Sequence, residues 1–125
     1  MKVTHFGQKI GIRIVSAKKG FCETELIVRK EHLNSLGVVH GGVLTTMADI
    51  AMGHACRSVS DKKLVTVELK LSFMRPIFPA RIRAEGKVLK KGEHLIFASC
   101  SIFSAEGLEA VVALGTYMMV DDVKK

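Results

Sequence analysis

From Gly42 to about Ser58 the apolar side chains recur at helical spacing, and on either side of that stretch they recur at every second residue. Leu44, Met47, Ala48, Ala51, Met52 and Ala55 fall at i, i+3, i+4, i+7, i+8 and i+11, which is one face of an α-helix. Small residues along it (Ala48, Ala51, Gly53, Ala55) let such a helix approach a neighbouring backbone closely. A chain whose period changes twice has few options: strands, one long helix, then more strands.

Before the helix, Ile10, Ile12 and Ile14 alternate with Gly11 and Arg13. Lys18-Lys19-Gly20 then signals a turn and alternation returns from Phe21 to Val28, predicting a β-hairpin. Lys30 to Leu36 is polar and irregular, read as a helical turn. After the helix, Val65, Val67, Leu69, Leu71 and Phe73 alternate with Thr66, Glu68, Lys70 and Ser72, a half-buried strand. Pro76 and Pro79 bracket an irregular connection, because proline cannot donate to a central ladder. Arg81 to Val88 alternates again, Lys91-Gly92 and Glu106-Gly107 mark turns, and residues 94–104 and 109–120 are apolar on both faces, as central strands are. Six strands joined mainly by hairpins predict a mostly antiparallel sheet with the helix covering one face. The class is α+β, and 125 residues make one domain, 1–125.

At 48% apolar the chain is too hydrophobic for disorder, yet no apolar run approaches the ~20 residues that span a bilayer. The first fifteen residues lack the uninterrupted apolar core of a secretory signal. Three widely spaced cysteines (Cys22, Cys56, Cys100) form neither a disulfide framework nor a C-x-x-C pair, so a reducing cytoplasm is expected. The net charge of +7 is local: residues 62–91 hold nine Lys and Arg against Glu68 and Glu85, and the rest of the chain is balanced. Such a stretch either attracts an anionic partner or keeps the protein soluble.

Opposite its apolar stripe the helix presents Gly42, Thr45, Thr46, Asp49 and Gly53, all small or polar. Two features there can do chemistry. The start, His40-Gly41-Gly42, offers unpaired N–H groups and the positive end of the helix dipole to an anion or oxyanion. Asp49 is the one acid of an otherwise uncharged face and needs exposure, a partner or a task. A tight turn and a solvated acid would look the same in sequence. Asp49 follows Gly42 by seven residues, about 10 Å along the axis, so one reacting carbon cannot lie ~3 Å from both. Two helices antiparallel about a two-fold axis near Thr45 and Thr46 remove the difficulty and predict a homodimer with two shared sites.

Asn34-x5-His40-Gly41-Gly42-x6-Asp49, followed by Val65-Thr66-Val67-Glu68-Leu69 and Phe73-Met74-Arg75-Pro76, resembles the hotdog-fold acyl-CoA thioesterases of the phenylacetic-acid-degradation type, over roughly Asn34 to Thr116. The resemblance implies a long helix wrapped by an antiparallel sheet, in dimers that often become tetramers, with active sites at the dimer interface. It implies that the Gly42 amide polarises the thioester carbonyl and that Asp49 from the opposite subunit acts as general base or nucleophile. Asn34 would help hold the water or the carbonyl, Thr66 supplies a hydroxyl near the carboxylate, and His40 contacts the carbonyl or bonds the turn. Gly41 and Thr46 are expected to touch substrate. No cofactor or metal is implied, coenzyme A entering as part of the substrate. Arg75, Lys90 and Lys91, flanking turns near strand ends, are the candidates for its phosphates.

Other chemistries lack their motifs. There is no G-x-S-x-G, no phosphate loop, no H-E-x-x-H and no clustered cysteines. Cys56 and His54 at i and i+2 face apart and read as packing residues. Neither a nucleic-acid partner nor a membrane partner is expected, since a basic composition lacks a recognition module to go with it. Within the fold, a hydratase or dehydratase and a non-catalytic acyl-CoA-binding protein stand as alternatives.

Overall fold

In the computed structural model, which describes residues 2–121, the chain runs α1 (His5–Ile10), β1 (Arg13–Lys18), β2 (Phe21–Ile27), a 3₁₀ turn (Lys30–His32), α2 (Gly41–Arg57), β3 (Lys63–Phe73), β4 (Arg81–Lys91), β5 (Leu95–Phe103) and β6 (Glu109–Val120). The strands form one sheet in the order β1-β2-β4-β5-β6-β3, every pair antiparallel. No helix among the described residues is long and apolar enough to cross a membrane.

Helix α2 buries the stripe seen in the sequence (Leu44, Met47, Ala48, Ala51, Met52 and Ala55) together with Cys56. It packs chiefly on β4, β2 and β5, against Leu26, Ile82, Ala84, Ile96 and Cys100. Helix and strand approach very closely at Gly86 of β4. A Cβ there would lie 2.6 Å from the carbonyl carbon of Ala51 and 2.7 Å from the Met52 nitrogen. Small residues on both sides of that crossing bring the helix axis down onto the strand, which sets the depth of everything α2 carries.

Three local expectations are corrected. Ile10 does not begin a strand: residues 5–10 form α1, which ends on Gly11 in the left-handed region (φ 99°), and β1 starts only at Arg13. Six residues with one buried side, Gly7 against Val3 and Ile50, show no legible helical period. The alternation of β3 is also broken. Thr66 pairs with Tyr117 but Glu68 pairs with Thr116, so Val67 is an extra residue and the strand bulges there. Thr66 consequently shares the inner face with Leu69, Leu71 and Phe73, which pair with Gly115, Ala113 and Val111, while Val67 is 54% exposed. A side chain expected to point away from the helix points toward it. Finally, β5 and β6 are central in the ladder but covered on one face only. Phe97, Leu114 and Met118 lie exposed on the other.

The segment between β2 and α2 is anchored by His32, which is buried: its Nδ1 accepts from the Arg29 N–H (2.8 Å) and its Nε2 lies 2.7 Å from the Ile10 carbonyl. Val39 and His40 donate their N–H groups to Ile77 and His32 carbonyls. The chain therefore enters α2 along a defined path.

Candidate active site

The helix begins one residue earlier than its periodicity suggests, at Gly41, with His40 as cap. The His40 ring Nδ1 accepts the Gly42 N–H at 2.8 Å, the role that serine or aspartate commonly plays at this position. Of the two roles open to His40, the bond to the turn is the one present. It occupies the amide assigned to the substrate carbonyl, and among the described residues the neighbouring Gly41 N–H donates to no group.

Asn34 folds its own loop. Its Oδ1 accepts from the N–H of Leu36 (2.9 Å) and Val38 (3.3 Å), an Asx turn whose tight return needs the positive φ (80°) of Gly37. With the carbonyl oxygen used, the side-chain NH₂ is what Asn34 can offer a ligand. Asn34, Gly41, Phe73 and Arg75 line one hollow of about 350 Å³.

Asp49 lies in another. A cavity of about 300 Å³ is lined by Thr46, Asp49, Thr66 and Tyr117, with Phe6 of α1 and His54 on its walls. Thr66 Oγ1 donates to Asp49 Oδ1 at 3.1 Å, reached only because of the bulge at Val67. The Tyr117 hydroxyl donates to the same oxygen at 2.8 Å. Thr46 Oγ1 donates back to the Gly42 carbonyl at 2.8 Å, so toward a ligand its hydroxyl can only accept.

The site residues thus fall into two groups within one chain: Asp49, Thr66 and Thr46 in one cavity, Asn34, Gly41 and Arg75 in the other. The basic residues divide as well. Lys91 pairs with Ile96, which pairs with Tyr117, so Lys90 and Lys91 lie level with the Asp49 end of the sheet. Arg75, whose N–H donates to the Ala110 carbonyl, lies at the other end. Tyr117 and Ala110 are seven residues apart along β6, about 23 Å at ~3.3 Å per residue.

Tyr117, α1 and His54 were not legible as site components. For Tyr117 a signal existed: it is the protein's sole tyrosine, placed in an apolar strand, and a buried phenol needs a hydrogen-bond partner. Burial, the Asp49 charge and the bond to that carboxylate together push its hydroxyl far above the ordinary range, so it stays protonated and a donor. His54, read as packing, is half-buried on the cavity wall; burial first and Arg57 second hold its imidazole below the usual value, so it is neutral at pH 7. Among the described residues no three His, Cys, Asp or Glu side chains are grouped to hold a metal ion.

The cysteines are free, buried and removed from this chemistry. Burial raises Cys22 and Cys56 to about 11 and Cys100 to about 12 from an ordinary 9.0. The folded chain therefore keeps protons that the unfolded chain gives up, and its stability is full below pH ~9 and declines as pH rises through 11 to 12. Tyr117 acts in the same sense. Thermal unfolding between pH 7 and 11 is expected to show a flat Tm up to pH ~9 and a steady fall above it; an unchanged Tm at pH 11 would contradict the assignment of these groups as buried.

Residues 36–111 match the model of a family described as the thioesterase superfamily. The chain belongs to that superfamily. Human acyl-coenzyme A thioesterase 13 is 31% identical over 105 residues, covering 81% of this chain and 74% of its own. Among solved structures, a conserved protein of Pseudomonas aeruginosa superposes with a TM-score of 0.90 at 26% identity, over 95% of this chain and 96% of that one. The Escherichia coli PaaI protein from the phenylacetic acid degradation operon superposes at 0.86 with 25% identity, over 91% and 83%. The antiparallel sheet with one long helix is thus the hotdog fold that the motifs implied, and the chain is a thioester hydrolase.

Proposed function

We propose that this protein hydrolyses acyl-CoA thioesters, with water converting the acyl group to a free acid and releasing coenzyme A as its thiol, at a site completed by a second copy of the chain. The placement of Asp49 carries this: a carboxylate held by two hydroxyl donors at a cavity wall, on the same helix face as the Gly41–Gly42 start but about two turns from it. Hydrolysis builds negative charge on the carbonyl oxygen, which N–H groups at a helix start stabilise by about 2.7–4 kcal/mol. A substrate oxygen takes the Gly41 amide directly, or takes the Gly42 amide by displacing the His40 ring. Asn34 supplies a further donor from its NH₂ group. Asp49 activates the attacking water or attacks the carbonyl itself.

Several features favour a dimer joined along β3. This strand is eleven residues long and forms one edge of the sheet, and an unpaired edge of that length invites another strand. Its bulged residue Val67 is more than half exposed, and so is Phe73 at its end. Antiparallel pairing of two β3 strands would bring the Asp49 end of one chain to the Gly41 end of the other. It would carry Lys90 and Lys91 toward the partner's Arg75 in the same movement, giving a divided basic set one phosphate-rich ligand to hold. The exposed Phe97, Leu114 and Met118 offer a second face on which two dimers could pair. The acyl-CoA substrate class is supported by the name of the human relative.

The test is hydrolysis across short-chain, medium-chain and aryl acyl-CoA thioesters, followed by trapping the released thiol. At least one substrate is expected to reach a kcat/KM of about 10⁴ M⁻¹s⁻¹ or more. Background rates with every thioester would overturn the proposal, and tight binding of acyl-CoA without turnover would favour a binding protein instead.

A further inference from the structure

We propose that Tyr117 is a positioning residue for Asp49, and that it determines which carboxylate oxygen meets the substrate. The inference rests on Asp49 being the catalytic carboxylate. Tyr117 sits near the end of β6, opposite Ile96 of β5 and Thr66 of β3, and only 2% of it is exposed. Its hydroxyl has one proton and two oxygens in reach: Asp49 Oδ1 at 2.8 Å and the Asp49 main-chain carbonyl at 3.2 Å. The shorter contact is to the charged oxygen, which is the stronger acceptor. Thr66 adds its donor to that same Oδ1. Both donors converge on one oxygen, and Oδ2 is bonded by neither, so Oδ2 is the oxygen directed at water or carbonyl.

The ring is built into its place. A Cβ on Gly115 would lie 2.9 Å from one ring carbon, and a Cβ on Gly53 would lie 3.7 Å from another, so glycines leave the ring its space on two sides. A tyrosine seated in this way cannot swing toward solvent, whereas the Asp49 side chain, half-buried at the cavity wall, is not packed in that way. The two hydroxyls restrain it. A reacting group displaced by ~1 Å can lose about 100-fold in rate, so restraint of this kind acts on turnover rather than on substrate affinity.

Steady-state kinetics of Tyr117→Phe, Asp49→Asn and the double variant test the proposal. Tyr117→Phe is expected to lower kcat at least tenfold, toward the roughly 100-fold limit of misplacement, with KM changed by less than about threefold. In the Asp49→Asn background the same substitution should alter the residual rate by less than about twofold, because the group it positions is already gone. An equal loss in both backgrounds, or an unchanged kcat in the single variant, would overturn it in favour of simple packing. If Asp49→Asn alone keeps its activity, it is the function of Asp49 that fails. The Tyr117–Asp49 contact is then judged separately, as it is if Tyr117→Phe does not fold. Because Tyr117 is the sole tyrosine, biosynthetic incorporation of a ring-fluorinated tyrosine labels that position alone. A fluorine NMR resonance that moves on Asp49→Asn supports the contact, and one that stays in place refutes it.

Discussion

Asp49→Asn is expected to lower kcat for thioester hydrolysis by about a thousandfold, within the 10²–10⁴ range of a lost acid–base group, while the protein stays folded. Asparagine keeps the size of the side chain and retains a carbonyl oxygen where Thr66 and Tyr117 donate. What it removes is the charge, and with it the capacity to take a proton from water or to attack the carbonyl. Kinetics together with a melting curve check this, and a kcat within about threefold of the parent would withdraw Asp49 from the mechanism.

The same variant also tests the proposed dimer and its shared site. Gly42→Pro removes the other component, the N–H at the second residue of α2, in a first turn where proline breaks no helical hydrogen bond. Its ring would displace His40, since a Cβ on Gly42 lies 3.1 Å from Nδ1. Each homodimer carries one lesion in both sites and is expected to be inactive. A heterodimer of the two variants concentrates both lesions in one site and leaves the other whole, so about half of the parental activity should return. Verified heterodimers without activity would place both components in one chain's own site, against the separation of the two hollows.

The largest effect on stability is expected at Gly86. Any side chain there meets the backbone of Ala51 and Met52 at 2.6–2.7 Å, and backbone at a helix crossing cannot turn aside as a side chain can. Gly86→Ala should cost about 2–3 kcal/mol through overpacking, and Gly86→Val more. For a chain of this length that corresponds to a drop in Tm of roughly 10 °C. Gly53→Ala is the natural contrast. It sits mid-helix with its nearest neighbour, a Tyr117 ring carbon, at an ordinary 3.7 Å. Alanine's helix propensity should therefore raise stability, by up to ~1 kcal/mol. Urea unfolding at matched protein concentration compares them; loss of the opposite signs would mean that α2 does not rest on β4 at that point.

What could be read from sequence followed from short-range regularity. The spacing of Leu44 to Ala55 marks the helix and its buried face, the alternations mark strands, and helix geometry alone sets Gly42 and Asp49 too far apart for one reacting carbon. The family motifs supplied Asn34 and Thr66, though not the hydrogen bonds that they make. The tertiary structure decided everything that depends on residues remote in sequence meeting. The bulge at Val67 arises from how β3 pairs with β6, and it turns Thr66 toward Asp49 against the strand's own alternation. Tyr117 lies 68 residues from the carboxylate that it holds. Helix α1 reaches the cavity wall through packing too local to leave a period. A hydrophobic period records only which side of an element is buried; which polar group meets which across two elements is set by register, and a single inserted residue reverses it.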